Sequence, residues 1–217
     1  MIYKEESNGP KYEPIPAGSY AARCYKIIYL GTQNVEYMGV AKRQNKMKIV
    51  WELPTEMKVF KEGEEARPYS ISKTYTISLY EKASLRADLA GWRGNDFTEE
   101  EIKNGIDFNK LVGVSCLLSV VHKKSTDGKK TYALIASISR LPKGMVCPAP
   151  VNPQFIFEFD GFDPKKLEML NKFDQEKIKS SPEYLAVTSG AVASPPYEKP
   201  EESSWYPPAE DDEEVSF

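Results

Sequence analysis

One histidine, His122, and three cysteines, Cys24, Cys116 and Cys147, are all this chain has for imidazole or thiolate chemistry. No two cysteines form a CxxC pair, so neither a disulfide framework nor a cysteine zinc site is indicated. Cys24 and Cys116 fall at strand positions and read as small core residues. His122 stands beside Lys123 and Lys124, with Lys129 and Lys130 close behind. That company suits contact with phosphate or solvent better than a role as general base. Glu99, Glu100 and Glu101 are adjacent carboxylates, but at a helix N-terminus they complement the helix dipole. Gly128-Lys129-Lys130-Thr131 matches only the end of a phosphate-binding loop and lacks the upstream glycine. There is no GxSxG elbow and no acidic cluster placed for a nuclease metal. No catalytic residue, metal site or cofactor is assigned, and the chain reads as a non-enzyme.

The remaining chemistry is positive charge in two places. Lys42, Arg43, Lys46 and Lys48 make one group; Lys123, Lys124, Lys129 and Lys130 make the other. Lysines in that density can neutralise a phosphate backbone, and tyrosines beside them can stack on bases at about 1–3 kcal/mol per base. Arg23, Tyr25 and Tyr29 share the more mixed face of the first strand, and Tyr37 follows in the next loop. Trp51 and Tyr75 lie with aliphatic neighbours and are expected in the core.

Several elements would position these residues. Residues 19–30 (SYAARCYKIIYL) read as a strand closed by Gly31. Residues 46–53 (KMKIVWEL) alternate clearly: Met47, Ile49, Trp51 and Leu53 point one way, Lys46, Lys48 and Glu52 the other. Strands follow at 70–79, 112–121 and 131–141, the last two joined by the turn signal Thr126-Asp127-Gly128. Residues 83–91 suit a short helix, and Thr98 with Glu101 has capping-box spacing for a second. Residues 155–159 (FIFEF) suit a short extra strand. Asp163-Pro164 opens a helix over 164–180 with Leu167, Leu170, Phe173 or Asp174, and Ile178 as its apolar stripe.

Strand, strand, strand, helical segment, strand, strand is the order of an OB-fold, a five-stranded Greek-key barrel. The expected fold is therefore mainly β, with a helical segment between strands 3 and 4, a C-terminal helix and a disordered acidic tail. Its parts are a barrel with an N-terminal extension over 1–160, a helix packed on it over 161–185, and a Pro/Ser-rich linker and tail over 186–217. In such a barrel the loops at 32–46 and 122–130 would clamp one nucleic-acid strand between them.

Composition fits this division. The 217 residues carry 29 Lys+Arg and 32 Asp+Glu, a net of −3. Residues 1–160 hold 23 against 19 and residues 161–217 hold 6 against 13, so a body of +4 precedes a remainder of −7. Residues 186–209 bury too little apolar surface to offset their ordering entropy. No apolar run is long enough to span a membrane, and the N-terminus lacks a signal-peptide pattern.

PAGSYAARCYKIIYLGTQ, KMKIVWELP, SLRADLAGWRGNDFTEEE and the acidic end DDEEVSF together resemble phage-encoded single-stranded DNA-binding proteins. The resemblance implies sequence-independent binding and protection of single-stranded DNA during phage DNA replication and recombination, in the cytoplasm of the infected bacterial host. It also implies that Asp211, Asp212, Glu213, Glu214 and Phe217 dock phage or host replication and recombination proteins, and that the tail competes with DNA. The tail departs from the bacterial pattern in having Ser216 where a proline precedes the terminal phenylalanine. Two other readings are an OB-fold protein-interaction adaptor with a nucleic-acid-mimicking tail and an RNA-binding module. The adaptor reading gains if the two basic clusters do not face one groove.

Overall fold

The computed structural model describes residues 13–37 and 39–190. Six strands form one sheet: β1 (Gly18–Tyr37), β2 (Val40–Lys58), β3 (Arg67–Thr76), β4 (Ser115–Lys124), β5 (Thr131–Ser139) and β6 (Phe155–Phe157). The hydrogen-bonded order is β3-β2-β1-β4-β5, antiparallel throughout, with β6 added parallel to β1 at Lys26–Ile28.

The expected five-stranded OB barrel is contradicted. The sheet is open and not strongly curled, and the architecture is mixed α/β. β3 and β5 end the strand order, with no ladder joining them among the described residues. A physical reason lies in α1 (Ser84–Arg93), which packs on β5. Gly91 O accepts the Arg140 amide at 3.0 Å, so the helix takes a backbone group just beyond the end of β5. The order of elements along the chain is the same for a closed barrel and an open sheet, so sequence order could not separate them.

The inner face carries the larger core. Met47, Ile49, Trp51 and Leu53 alternate into it with Ala22, Cys24 and Ile27 of β1, Cys116, Leu118 and Val120 of β4, and Leu85, Leu89 and Trp92 of α1. The Trp51 and Trp92 rings lie 5.7 Å apart, and the Trp92 indole N–H donates to Ser115 O. On the outer face, Ile28, Leu30 and Phe157 meet Leu167, Leu170 and Ile178 in a second cluster. β1 serves both clusters through its two faces, and its pairing with β2 shifts register between Cys24 and Lys26 and again between Tyr29 and Gly31. Each such irregularity changes which side chains face the core. Ile27 and Tyr29 thus join the inner core, on the opposite side from Arg23 and Tyr25, where strict alternation put all four together.

The single helix expected over 164–180 is three helices over a longer stretch: α3 (Pro164–Glu168), α4 (Lys172–Lys179) and α5 (Pro182–Ser189). Asn171 accepts from the Asp174 amide and Ser181 from the Tyr184 amide, so each side chain caps and restarts a helix. Glu183 of α5 accepts from both the amide and the hydroxyl of Thr32, pinning α5 to β1. Helix α5 extends beyond the expected start of the linker at residue 186. The rest of the expected linker, from 191 onward, and the tail residues Asp211, Asp212, Glu213, Glu214 and Phe217 lie outside the described residues.

Helix α2 (Glu99–Asn104) has the full capping box, with Thr98 and Glu101 exchanging hydrogen bonds. Arg93 also donates to Glu101 at 2.6 Å, and these contacts hold the Glu101 carboxyl down to about 2. A folded value below the unfolded ~4.3 means the contribution is present above that pH and lost as pH falls through about 2. An NMR titration of Glu101 should therefore show a midpoint near 2 that rises in Arg93→Gln. A wild-type midpoint near the ordinary ~4.3 would show that the bridge does not form in solution.

Candidate functional site

The sheet register separates the two basic loops. Gly18 pairs with Val120, so the β4–β5 turn lies beyond the start of β1, whereas Asn34 pairs with Arg43 near its far end. Roughly 16 residues of β1, on the order of 50 Å of extended strand, lie between these points. The register therefore sets the two loops near opposite ends of β1. The single-stranded DNA reading rested on a strand clamped between those loops of a closed barrel, and the open sheet overturns that basis. The RNA-binding variant of the same arrangement loses its basis too.

Several of the expected contact residues have structural partners. Arg23 donates to Gly113 O at 2.6 Å and to Pro148 O at 3.0 Å, clamping two loops against β1. The Tyr25 hydroxyl donates to Ser70 Oγ and that of Tyr29 to Asn109 Oδ1. Both phenols are raised chiefly by burial, Tyr29 to about 12. Tyr37 ends β1 opposite Val40. Lys42 is half-buried and Arg43 exposed, both beyond the end of β3. Lys123, Lys124, Lys129 and Lys130 are exposed around a turn in which Ser125 and Asp127 close the backbone. His122 Nε2 lies 2.7 Å from Ile15 O.

Lys48, expected on a solvated face, is only 4% exposed. On the outer side of the sheet, α4, which packs on β1, presents Asp174 at 2.5 Å from the Lys48 ammonium. Asp174 is itself 1% exposed and accepts from Asn171 Nδ2 through its other oxygen. Further along β2, buried Glu52 accepts from the amides of Val151 and Asn152 and from Asn152 Nδ2. The polar side of β2 therefore holds the C-terminal segments in place.

Around the Lys48–Asp174 pair the structure collects residues distant in sequence. Lys177 lies 4.4 Å from the centre of the Phe173 ring, and Lys48 lies 5.9 Å from the same ring. Lys46 sits two residues before Lys48, and Thr76 and Thr74 of β3 pair opposite them. Lys26 approaches the rings of Phe155 and Tyr25 at 5.1 and 5.7 Å. Burial lowers the Lys177 ammonium first, Lys48 and Lys46 lower it further, and Asp174 opposes. Burial also lowers Lys26, opposed by Asp174 and reinforced by Lys48. This corner offers ammonium and hydroxyl donors, which is chemistry for holding an anion. Sequence reasoning missed Lys26, Lys177, Phe173 and Asp174. The Asn171-x-x-Asp174 spacing was a local sign of a helix start, and the expected apolar stripe already offered Phe173 or Asp174 as an inward position.

A third feature is the β1–β2 ribbon. Residues 34–37 and 40–43 pair with one another and with no third strand among the described residues. Asn34, Glu36, Val40, Ala41 and Arg43 are exposed there, Val40 at 56%. Among the described residues no group of three His, Cys, Asp or Glu side chains is placed to hold a metal ion. No described helix is long and apolar enough to cross a membrane.

Compared with protein-family models and with curated proteins, the chain matches none. The resemblance to phage single-stranded DNA-binding proteins is thus without a family match, and the open sheet contradicts the barrel it implied.

Proposed function

We propose that this chain is a non-catalytic docking protein whose projecting β1–β2 ribbon engages an acidic surface of a partner protein. The observation that carries this reading is the pairing of residues 34–37 with 40–43, which no third strand joins among the described residues. A two-stranded hairpin alone is marginally stable in water, and its edges offer unpaired backbone groups to another chain. Strand addition to such an edge is a general mode of protein recognition. Lys42 and Arg43 against Glu36 give the ribbon a net positive charge, and Val40 adds an apolar contact at its tip. The three free thiols, Cys24, Cys116 and Cys147, suit a reducing compartment such as the cytoplasm.

The test is a photo-crosslinking residue in place of Val40 in the full chain, irradiated in the cells that make it. The expected result is an adduct with a defined protein that is lost in Lys42→Glu/Arg43→Glu. No adduct, an adduct with nucleic acid, or one indifferent to the charge reversal would overturn the reading.

A further inference from the structure

We infer that the ribbon's partner binds as an extended, acidic strand added to the edge of β2 at Val40–Gln44, just beyond the C-terminal end of β3. The inference rests on the ribbon reading above and names the edge and the backbone groups the partner uses. In an antiparallel pair, residues alternate between those bonded to each other and those whose N–H and C=O point away. One rung fixes that phase here. The Thr32 amide donates at 2.9 Å to Glu183 of α5, so it points away from β2. Opposite it, Asn45 points away from β1, because Asn45 O accepts from the Ile77 amide at 2.7 Å on the β3 side. The register runs unbroken from this rung to Tyr37 opposite Val40. Asn34 with Arg43, and Glu36 with Ala41, therefore repeat the outward phase two and four residues on. The ladder from β3 reaches β2 only as far as Lys46, and no strand among the described residues pairs with Ala41 or Arg43.

Charge selects between the two edges. Exposed Glu36 borders the β1 edge and exposed Arg43 the β2 edge. Arg43 makes no ion pair among the described residues. Unlike charges directly opposite one another stabilise a strand pair and like charges destabilise it, so a carboxylate-bearing strand suits β2 and is repelled at β1. Helix α5 also stands beside the β1 edge, where Glu183 has taken the Thr32 amide. The five residues from Val40 to Gln44 match the length of a short strand. A second copy is disfavoured, because full overlap of this edge with itself sets Lys42 opposite Lys42.

The experiment uses the full chain with the photo-crosslinking residue at Val40, irradiated in the cells that make it, and hydrogen exchange of the purified adduct. The Ala41 and Arg43 amides should exchange at least tenfold more slowly than in the free chain, and those of Asn34 and Glu36 should not change. Proline is tolerated in an edge strand where the missing N–H would face outward. Ala41→Pro should therefore fold as the wild type by circular dichroism and lower the adduct yield at least tenfold, whereas Asn34→Pro should leave the yield unchanged. If Ala41→Pro does not fold, the exchange pattern decides alone. Protection at Asn34 and Glu36, or at neither edge, would overturn the inference and leave the ribbon reading standing. So would an adduct of the chain with itself, at its own mass or at twice that mass, as far as the edge is concerned. The absence of any adduct overturns the ribbon reading, and this inference with it.

Discussion

Asp174→Ala should destabilise the protein by about 3–5 kcal/mol, the range for removing one member of a buried ion pair. Asp174 and Lys48 are 1% and 4% exposed and lie 2.5 Å apart, so the remaining ammonium would stay buried without the carboxylate that offsets its charge. The loss also reaches the Asn171 side chain, which donates to Asp174 Oδ2. Equilibrium denaturation in urea measures it. The double variant Asp174→Leu/Lys48→Met should recover most of the stability, because replacing both charges removes the desolvation penalty with the attraction. A single-variant loss below about 1 kcal/mol, the level of a solvated surface pair, would mean that the pair is hydrated in solution.

The second large effect is expected at Gly91. A β-carbon there would stand 2.4 Å from the backbone carbonyl oxygen of Ile138, which cannot swing aside as a flexible side chain can. Overpacking of this kind typically costs about 1–3 kcal/mol. Alanine's better helix propensity returns at most ~1 kcal/mol. The clash should prevail, because accommodating it lifts α1 off β5 and strains the bond from the Arg140 amide to Gly91 O. A fall in melting temperature of several degrees is expected, at roughly 2–4 °C per kcal/mol for a chain of this size. Gly39→Ala is the contrast: nothing lies within 4 Å of its added carbon, and only the positive φ of 76° opposes it. If Gly91→Ala proves as stable as wild type, α1 does not sit against β5 as described, and the reason given for the open sheet fails with it.

The two effects show which parts of the fold were legible. The alternation of Met47, Ile49, Trp51 and Leu53, the Thr98–Glu101 capping box and the turn after Lys124 follow from near neighbours in the chain. Periodicity and capping are local, so a single sequence displays them. The face of Tyr29 was not legible, because a register irregularity between Cys24 and Lys26 leaves no residue signature as strong as the alternation it interrupts. The split of the 164–180 helix was partly legible: Asn171 and Ser181-Pro182 are start signals, outweighed in the reading by the apolar stripe.

Composition and periodicity alone establish a lysine-rich body with an acidic end, a β-rich core, and the absence of recognisable catalytic motifs. Whether the sheet closes, and which lysines stay at the surface, follows from contacts between segments far apart in the chain. Lys48 is the clearest case. Alternation placed it on the polar side of β2, yet there it is buried against Asp174, a residue more than a hundred positions later in the chain. Periodicity specifies two faces of a strand; what lies against the second face depends on distant segments, and so does the electrostatics of the site built there.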